Sequence, residues 1–303
     1  MKALVTGSAG FIGSAVVAKL ADAGYEVMGL DVAYGTPTRT TQAHPNLHAV
    51  SGMDARDYFR HGEVRFDVVV HCAVQVVTTA DKASAGAGVA ANLEIDAALF
   101  QWAARTRPGR LVYFSSSCAY PAHSPLSRGT RWQERAISLT LPEMPDGLYG
   151  WVKLTGEQLA AELAKTVPVT VVRPFSVYGR GVREGFAVRG FADQAKKRAD
   201  PVVIWGDDQQ TRDYIHVSDA AAAVAALIAG GFDGPVNLGT GRATTLRELA
   251  VMIAAIEGYQ PGIDVARHLP AGLPYLVADP SRLRKVYEPR VALEKGLAEV
   301  MAR

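Results

Sequence analysis

Lys2-Ala-Leu-Val-Thr-Gly7-Ser-Ala-Gly10-Phe-Ile-Gly13 is the stretch that decides the fold. A short apolar, strand-like run breaks on the first of three glycines, and an amphipathic helical pattern follows over Ile12–Ala23. A strand that turns on glycine into a helix is how a parallel α/β unit begins. The glycines permit a tight turn and let backbone N–H groups approach a pyrophosphate at the positive end of the helix. The spacing is GxxGxxG, which on its own also suits an ordinary turn. Asp31 strengthens the reading: it ends the next strand-like run, Glu26–Asp31, where an acid holds the ribose hydroxyls of an adenine dinucleotide. That carboxylate repels a 2′-phosphate, so NAD is expected rather than NADP, although Asp31 also suits the start of a turn.

Outward from this unit the rhythm repeats. Strands are expected at Lys2–Thr6, Glu26–Asp31, His48–Ser51, Asp67–His71, Arg110–Ser115 and Val169–Arg173. Helices are expected at Ile12–Ala23, Val89–Ala104 and Gly150–Thr166. Apolar strands without alternation imply a parallel sheet covered on both faces. After Pro174 the rhythm changes. Tyr178–Arg189, rich in Gly and Arg, reads as a loop. Shorter pieces follow: a strand at Val202–Trp205, a helix at Ser218–Ala229, and a strand near Val236–Leu238. A helix starts on a capping box, Thr245-Leu-Arg-Glu248, and two further helices are expected at Pro280–Tyr287 and Val291–Ala302. The expected division is a nucleotide-binding domain, 1–175, and a smaller lobe, 176–303, with some chain crossing back to the first.

The bulk composition restricts the function classes. Of 303 residues 49% are hydrophobic and 20% charged, and Lys plus Arg, 32, nearly balance Asp plus Glu, 30. With a net charge of +2 and no basic stripe, no nucleic-acid or membrane partner is expected. The longest small-apolar run, Ala220–Gly231, falls short of the roughly 20 residues a membrane span needs. Two cysteines, Cys72 and Cys118, fit a reducing compartment, and the opening strand leaves no signal peptide, so a cytoplasmic protein is expected. No metal site is expected.

Tyr149-Gly-Trp-Val-Lys153 places a phenol and an ammonium on one helix face. A free tyrosine ionises near pH ~10, too high for a base at neutral pH. A lysine one turn away and a nicotinium ring beside it both favour the phenolate, which then takes a proton from a sugar hydroxyl while NAD oxidises the carbon. The motif alone is common. Ser115-Ser116-Ser117-Cys118 adds to it, following the fifth strand at the sheet edge where such folds bind ligands. A serine run also simply ends strands. Asp54 is a candidate for the adenine edge or a solvated loop acid, and Ala73 suits close packing against the cofactor.

Together with Gln210-Thr-Arg212-Asp213-Tyr-Ile-His-Val, Asn237-Leu-Gly-Thr-Gly241 and Leu293-Glu-Lys-Gly-Leu297, these motifs resemble the extended short-chain dehydrogenase/reductase family of nucleotide-sugar enzymes along almost the whole chain. The resemblance implies a Rossmann-type doubly wound parallel sheet with a C-terminal α/β substrate lobe. It implies that Gly7, Gly10, Phe11, Ile12 and Gly13 cradle NAD. Asp31, Asp54, Ala55, Ala73, Asn92, Lys153 and Phe175 would complete that site. Ser116, Tyr149 and Lys153 would be catalytic, and Arg212 would grip the substrate's diphosphate, a task suited to its planar fork. From the residues alone, Arg212 beside Asp213 reads as a local ion pair. Family members commonly dimerise through two helices per subunit, so a homodimer through Val89–Ala104 and Gly150–Thr166 is expected.

The partner implied is a nucleoside-diphosphate sugar. Family dehydratases carry Asp-Glu where this chain has Ser117-Cys118, which argues against elimination of water. Ser116-Ser-Cys118-Ala-Tyr-Pro121 resembles GDP-mannose 3,5-epimerases and GDP-fucose synthases, where the cysteine exchanges protons beside a transient ketone. Cys118 also reads as a packed, inert thiol. Those relatives use a further Lys or His after the Tyr-Gly of a later loop. Here Tyr178-Gly-Arg-Gly-Val-Arg183-Glu184 offers neither, leaving Arg183 or Glu184 as a substitute. Ser176 stands where Asn is usual near the sugar phosphate, and Arg180 replaces the usual Pro. A second diphosphate arginine is lost from His268-Leu-Pro-Ala-Gly272, and Arg267 or Arg282 is the candidate to fill that gap. A 4-epimerase is therefore slightly favoured, with a 3,5-epimerase using Cys118 next, then a 4-ketoreductase or dehydratase. A non-catalytic NAD sensor is disfavoured by the presence of both Tyr149 and Lys153.

Overall fold

Runs of Val and Leu with no polar interruption build the central sheet of the computed structural model, which describes residues 1–33, 44–75, 85–122, 130–269 and 272–302. In chain order the main elements are β1 (Lys2–Thr6), α1 (Phe11–Asp22), β2 (Glu26–Asp31), β3 (Leu47–Ser51), α2 (Ala55–His61), β4 (Val68–His71), α3 (Ala85–Thr106) and β5 (Leu111–Phe114). Next come α4 (Gly147–Leu163), β6 (Val169–Pro174), β7 (Ser176–Tyr178), α5 (Ala187–Lys196), β8 (Val202–Trp205), β9 (Thr211–Arg212), β10 (Tyr214–His216) and α6 (Val217–Ala229). The chain ends with β11 (Gly234–Leu238), β12 (Thr244–Thr245), α7 (Leu246–Ile256), β13 (Ile263–Ala266), β14 (Tyr275–Leu276) and α8 (Leu293–Met301).

Seven strands pair in the order β11-β6-β5-β4-β1-β2-β3, all parallel. Every residue of β4 and β5 is buried, as a strand covered on both faces requires. One face carries α1 and α6, whose Val16, Leu20, Ala220, Val224 and Leu227 pack on Val5, Val70 and Val236. The other carries α2, α3 and α4, through Phe59, Leu99, Trp102 and Ala160. The strand order reverses between β1 and β4, and there the carboxyl ends of the strands open a crevice suited to a ligand.

The strand expected near Val236–Leu238 does not belong to a separate lobe sheet: as β11 it pairs with β6 as the seventh strand. Three small sheets, β7 with β10, β8 with β13, and β9 between β12 and β14, join α5, α7 and α8 around a second core of Phe191, Ile204, Leu249 and Leu297. The expected capping box is formed: Thr245 Oγ1 accepts from Glu248 N–H, and Glu248 accepts from Thr245 N–H. Two helices were not expected. α2 follows an Asp54 cap, and α5 begins inside the stretch read as a loop. The helix expected at Pro280–Tyr287 is reduced to a single 3₁₀ turn, Leu283–Lys285.

Candidate active site

Gly7 leaves β1 with φ +68°, a conformation that L side chains rarely adopt. An ideal Cβ at Gly7 would lie 2.7 Å from Ala73 N, and one at Gly13 would lie 2.0 Å from Gly7 O. The loop therefore lies against both the end of β4 and the first turn of α1. Gly10 is the N-cap of α1 and has no side chain with which to cap it, so the first-turn N–H groups and the helix dipole are left in an arrangement that suits an anion. Asp31, buried at the end of β2, accepts from Ala9 N–H (3.0 Å) and Ala33 N–H (2.8 Å). Its negative charge thus stands directly beside the glycine loop. Ile12 packs into the α1–α6 core, whereas Phe11 reaches the core of the C-terminal lobe.

Asn92 secures the next wall. Its Oδ1 accepts from Gln75 N–H (2.7 Å) and its Nδ2 donates to Gln75 O (2.8 Å), fixing the chain just after Ala73. Asp54 is the N-cap of α2, and its carboxylate also takes the Arg56 guanidinium at 2.6 Å, which holds it below the usual carboxylate range. Ala55 is buried in the first turn of α2. Phe175 packs 6.0 Å from the Tyr120 ring beside Trp132.

The phenol and ammonium meet over β5. Lys153 Nζ lies 5.1 Å from the Tyr113 ring centroid and 5.8 Å from that of Tyr149. Lys153 is 2% exposed, and among the described residues no carboxylate oxygen lies within ion-pair distance of it. Burial pulls the Lys153 ammonium below its ordinary value, against the opposing pull of Asp96. Burial likewise pushes the Tyr149 phenol up, with Cys118 and Asp96 adding to the rise. In the protein's own field the phenolate therefore depends on added positive charge.

Ser116 follows β5 and caps the short 3₁₀ helix Ser117–Ala119, its Oγ accepting from Cys118 N–H at 3.1 Å. The hydroxyl still has its own hydrogen to donate. Ser117 is buried, and burial raises the Cys118 thiol, with Ser116 and Arg212 opposing. α4 docks on this turn because residue 150 is glycine: a Cβ there would come within 2.3 Å of Cys118 O.

Arg212 does not pair with Asp213. Its Nη1 donates to Thr211 O (2.9 Å) and Leu273 O (2.7 Å), and its Nη2 donates to Gln210 Oε1 (3.1 Å). Asp213 instead accepts from Thr240, Gly241 and Ala278, tying β11 to the lobe. Arg212 is left as a cation held by neutral oxygens and influenced by Cys118 and Asp146, an arrangement that suits an anionic ligand. Ser176 sits in β7, half-buried, and Arg183 is exposed on the following loop.

Arg282 corrects the sequence reading. Its guanidinium lies 5.1 Å over the Phe232 ring and donates to Asp233 O (3.4 Å), beside the first residue of β11. That is the amino-terminal edge of a parallel sheet whose other functional groups stand at the carboxyl edge. It lines a separate cavity of about 470 Å³ with Glu134, Ala160 and Pro235. Arg267 is exposed beyond β13, and Pro270 and Ala271 of the degraded segment lie outside the described residues.

Residues absent from the sequence reading complete the site's support. Glu157, one turn beyond Lys153, pairs with Arg173 and accepts from Ser115 Oγ. Gly156 passes against the Tyr113 hydroxyl, where a Cβ would lie only 1.9 Å away. Asp96 accepts from that hydroxyl at 2.6 Å. The signal was helical spacing: 149, 153, 156 and 157 share a face of α4, and Asp96 follows Asn92 by four residues.

Residues 3–239 match the model of the NAD dependent epimerase/dehydratase family. A dTDP-4-dehydro-6-deoxy-D-allose reductase of a Streptomyces species is 31% identical over 98% of this chain and 94% of its own. The Arabidopsis thaliana GDP-L-fucose synthase 1 is 24% identical over 98% and 91%. The crystal structure of the Thermus thermophilus UDP-glucose 4-epimerase in complex with NAD superimposes with a TM-score of 0.83 at 26% identity, covering 99% of this chain and 98% of that one.

Proposed function

This chain belongs to the NAD-dependent epimerase/dehydratase family, and from that premise we propose that it inverts C4 of a nucleoside-diphosphate sugar through a transient 4-keto sugar. It is a nucleotide-sugar-modifying enzyme whose family uses NAD. The glycine cradle, the first-turn N–H groups of α1 and Asp31 fit the dinucleotide, and Lys153 fits its nicotinamide end. When bound, NAD supplies a two-electron acceptor at the sugar carbon and a positive charge near the phenol.

The residues divide the remaining work. Tyr149 Oη, as phenolate, takes the proton of the C4 hydroxyl and later returns it to the opposite epimer. Ser116 Oγ donates to the same sugar oxygen and orients it. Lys153 holds positive charge one turn from Tyr149, favouring the phenolate that burial opposes. Arg212 offers its guanidinium to the diphosphate.

One observation carries the preference for simple epimerisation. Burial pushes the thiol beside Ser116 toward its protonated form, with Ser116 and Arg212 opposing, and neither Lys nor His is among the groups acting on it. Proton exchange at C3 or C5 needs a more acidic thiol. A 4-keto reduction is the second reading, favoured by the 31% identical relative whose name describes one. Against it, Asp31 opposes the 2′-phosphate of NADPH.

The test is NMR of a panel of nucleotide sugars incubated with the enzyme in heavy water, without added cofactor. C4 inversion free of deuterium is the expected result. Deuterium at C3 or C5 would replace this reading with the cysteine-assisted one, and turnover only with added reduced nicotinamide would replace it with reduction.

The assembly proposed is a homodimer through α3 and α4. Leu148, Trp151 and Leu159 form an exposed stripe on α4, and Leu93, Ala97, Gln101 and Ala104 form one on α3. Sedimentation should give twice 32.3 kDa, and a species of that single mass would rule the dimer out.

A further inference from the structure

Beneath the Tyr149–Lys153 pair lies an acid that the proposed reaction does not use. Asp96 is 3% exposed on the buried face of α3, one turn after Asn92. Its Oδ2 accepts from the Tyr113 hydroxyl at 2.6 Å, and its Oδ1 lies 3.4 Å from His71 Nε2. The His71 ring is held in turn by Thr6 Oγ1 at 2.8 Å and lies nearly parallel to the Tyr113 ring. Tyr113 is pinned between this carboxylate and the Cβ-less surface of Gly156. Lys153 Nζ stands over the same Tyr113 ring. One rigid phenol therefore fixes the separation between a buried anion and the buried ammonium.

We propose that Asp96 is a positioning residue for the Tyr149–Lys153 pair, a fixed counter-charge that sets the pH window in which both side chains hold their working protonation states. This rests on the reading of Tyr149 and Lys153 as the proton-transfer pair. Burial of an ammonium with no carboxylate in contact favours loss of its proton, and a neutral lysine leaves the phenolate without support. A buried anion a few ångströms farther off keeps the lysine charged without forming a contact pair that would draw Nζ away from the site.

Other groups face the same space. At the end of β4 are His71, kept neutral by burial, and the next residue, Cys72, whose thiol burial pushes up. On β5 there is Tyr113, and on α4 there are Tyr149, Lys153 and Glu157, the last already paired with Arg173. Cys118 faces Tyr149 from the turn after β5. Although burial opposes it, Lys153, the nearby His71 ring and the Tyr113 hydrogen bond hold Asp96 below the usual carboxylate range. It is thus the fixed negative charge of the group. Negative charge raises the pKa of both an ammonium and a phenol, so its removal moves both in one direction.

The test compares the parent with Asp96→Asn, which keeps an acceptor for Tyr113, and with Tyr113→Phe, which keeps the charge and removes the bond. Both limbs of the pH–rate profile of Asp96→Asn should move to lower pH by about one unit. Those of Tyr113→Phe should stay within a few tenths of a unit. Tyrosinate absorption, taken as the difference between each protein and its Tyr149→Phe counterpart, should show the phenol titrating earlier in Asp96→Asn whether or not turnover is measured. A slower Asp96→Asn enzyme with unmoved limbs and unmoved absorption overturns the proposal, as does Tyr113→Phe moving them equally. Full turnover by Tyr149→Phe would instead refute the underlying reading of function.

Discussion

Replacing Arg173 with Met should destabilise the protein by about 3–5 kcal/mol, the usual cost of removing one partner of a buried ion pair. Arg173 and Glu157 are each 2% exposed, and the guanidinium holds the carboxylate with two bonds, 2.9 Å from Nε and 2.6 Å from Nη2. Nη1 also donates to Glu134 O (2.8 Å) and Tyr120 Oη (3.2 Å). Met fills similar volume but leaves Glu157 an anion whose remaining bond comes from Ser115. With about 2.1 cal/mol/K of unfolding entropy per residue, 303 residues give about 0.6 kcal/mol/K, so the melting temperature should fall by about 5–8 °C. Calorimetric melts at neutral pH measure this. Adding Glu157→Gln should recover most of the loss, since the stranded charge is then gone. A single variant melting within 1–2 °C of the parent, by the same conversion, would refute this account of the network. The loss should also reach the site. Ser115 precedes Ser116 and Glu157 follows Lys153 by one turn, so kcat should drop even where the fold persists.

Tyr149→Phe should lower kcat by about 10²- to 10⁴-fold with KM little changed, as expected for loss of a proton-transfer group, and steady-state assays check this. Cys118→Ala should keep C4 inversion within a few-fold, measured on the same substrate panel. Gly13→Ala would press a methyl against Gly7 O at 2.0 Å, so the loop must open by more than ~1 Å at a cost of about 1–3 kcal/mol. That variant should purify without the NAD released by the parent on denaturation. His71 is buried neutral, with its folded pKa below the unfolded value of about 6.5. The unfolded chain therefore takes up more protons as pH falls. Stability from this group is complete above about pH 6.5 and is lost as pH drops toward the folded value. Urea melts at pH 7.5 and 5.5 should show that slope, and His71→Gln should flatten it; Asp96 acts in the same sense only below about pH 4.

The parallel sheet was legible because its strands are short unbroken runs such as Val68–His71, and burial on both faces leaves that pattern in sequence. α5 was not, because Gly181, Gly185, Arg180 and Arg183 precede it, and its start depends on the core it meets, Phe191 against Ile204 and Leu249. Single-residue roles failed where they rest on contacts made far along the chain. Arg282 was assigned by analogy of charge, yet β11 joins the main sheet and carries its neighbourhood to the opposite edge. Arg212 and Asp213 were read as neighbours able to pair. Successive side chains of an extended segment point to opposite sides, so adjacent charges on one are poorly placed to meet. That rule was available before any coordinates. It predicts what the structure has: Asp213 turned inward to Thr240 and Gly241, and Arg212 turned to Leu273 O, with no carboxylate among the described residues in ion-pair contact with it. A cation held only by neutral oxygens suits an anionic ligand, since no internal pair must first be broken.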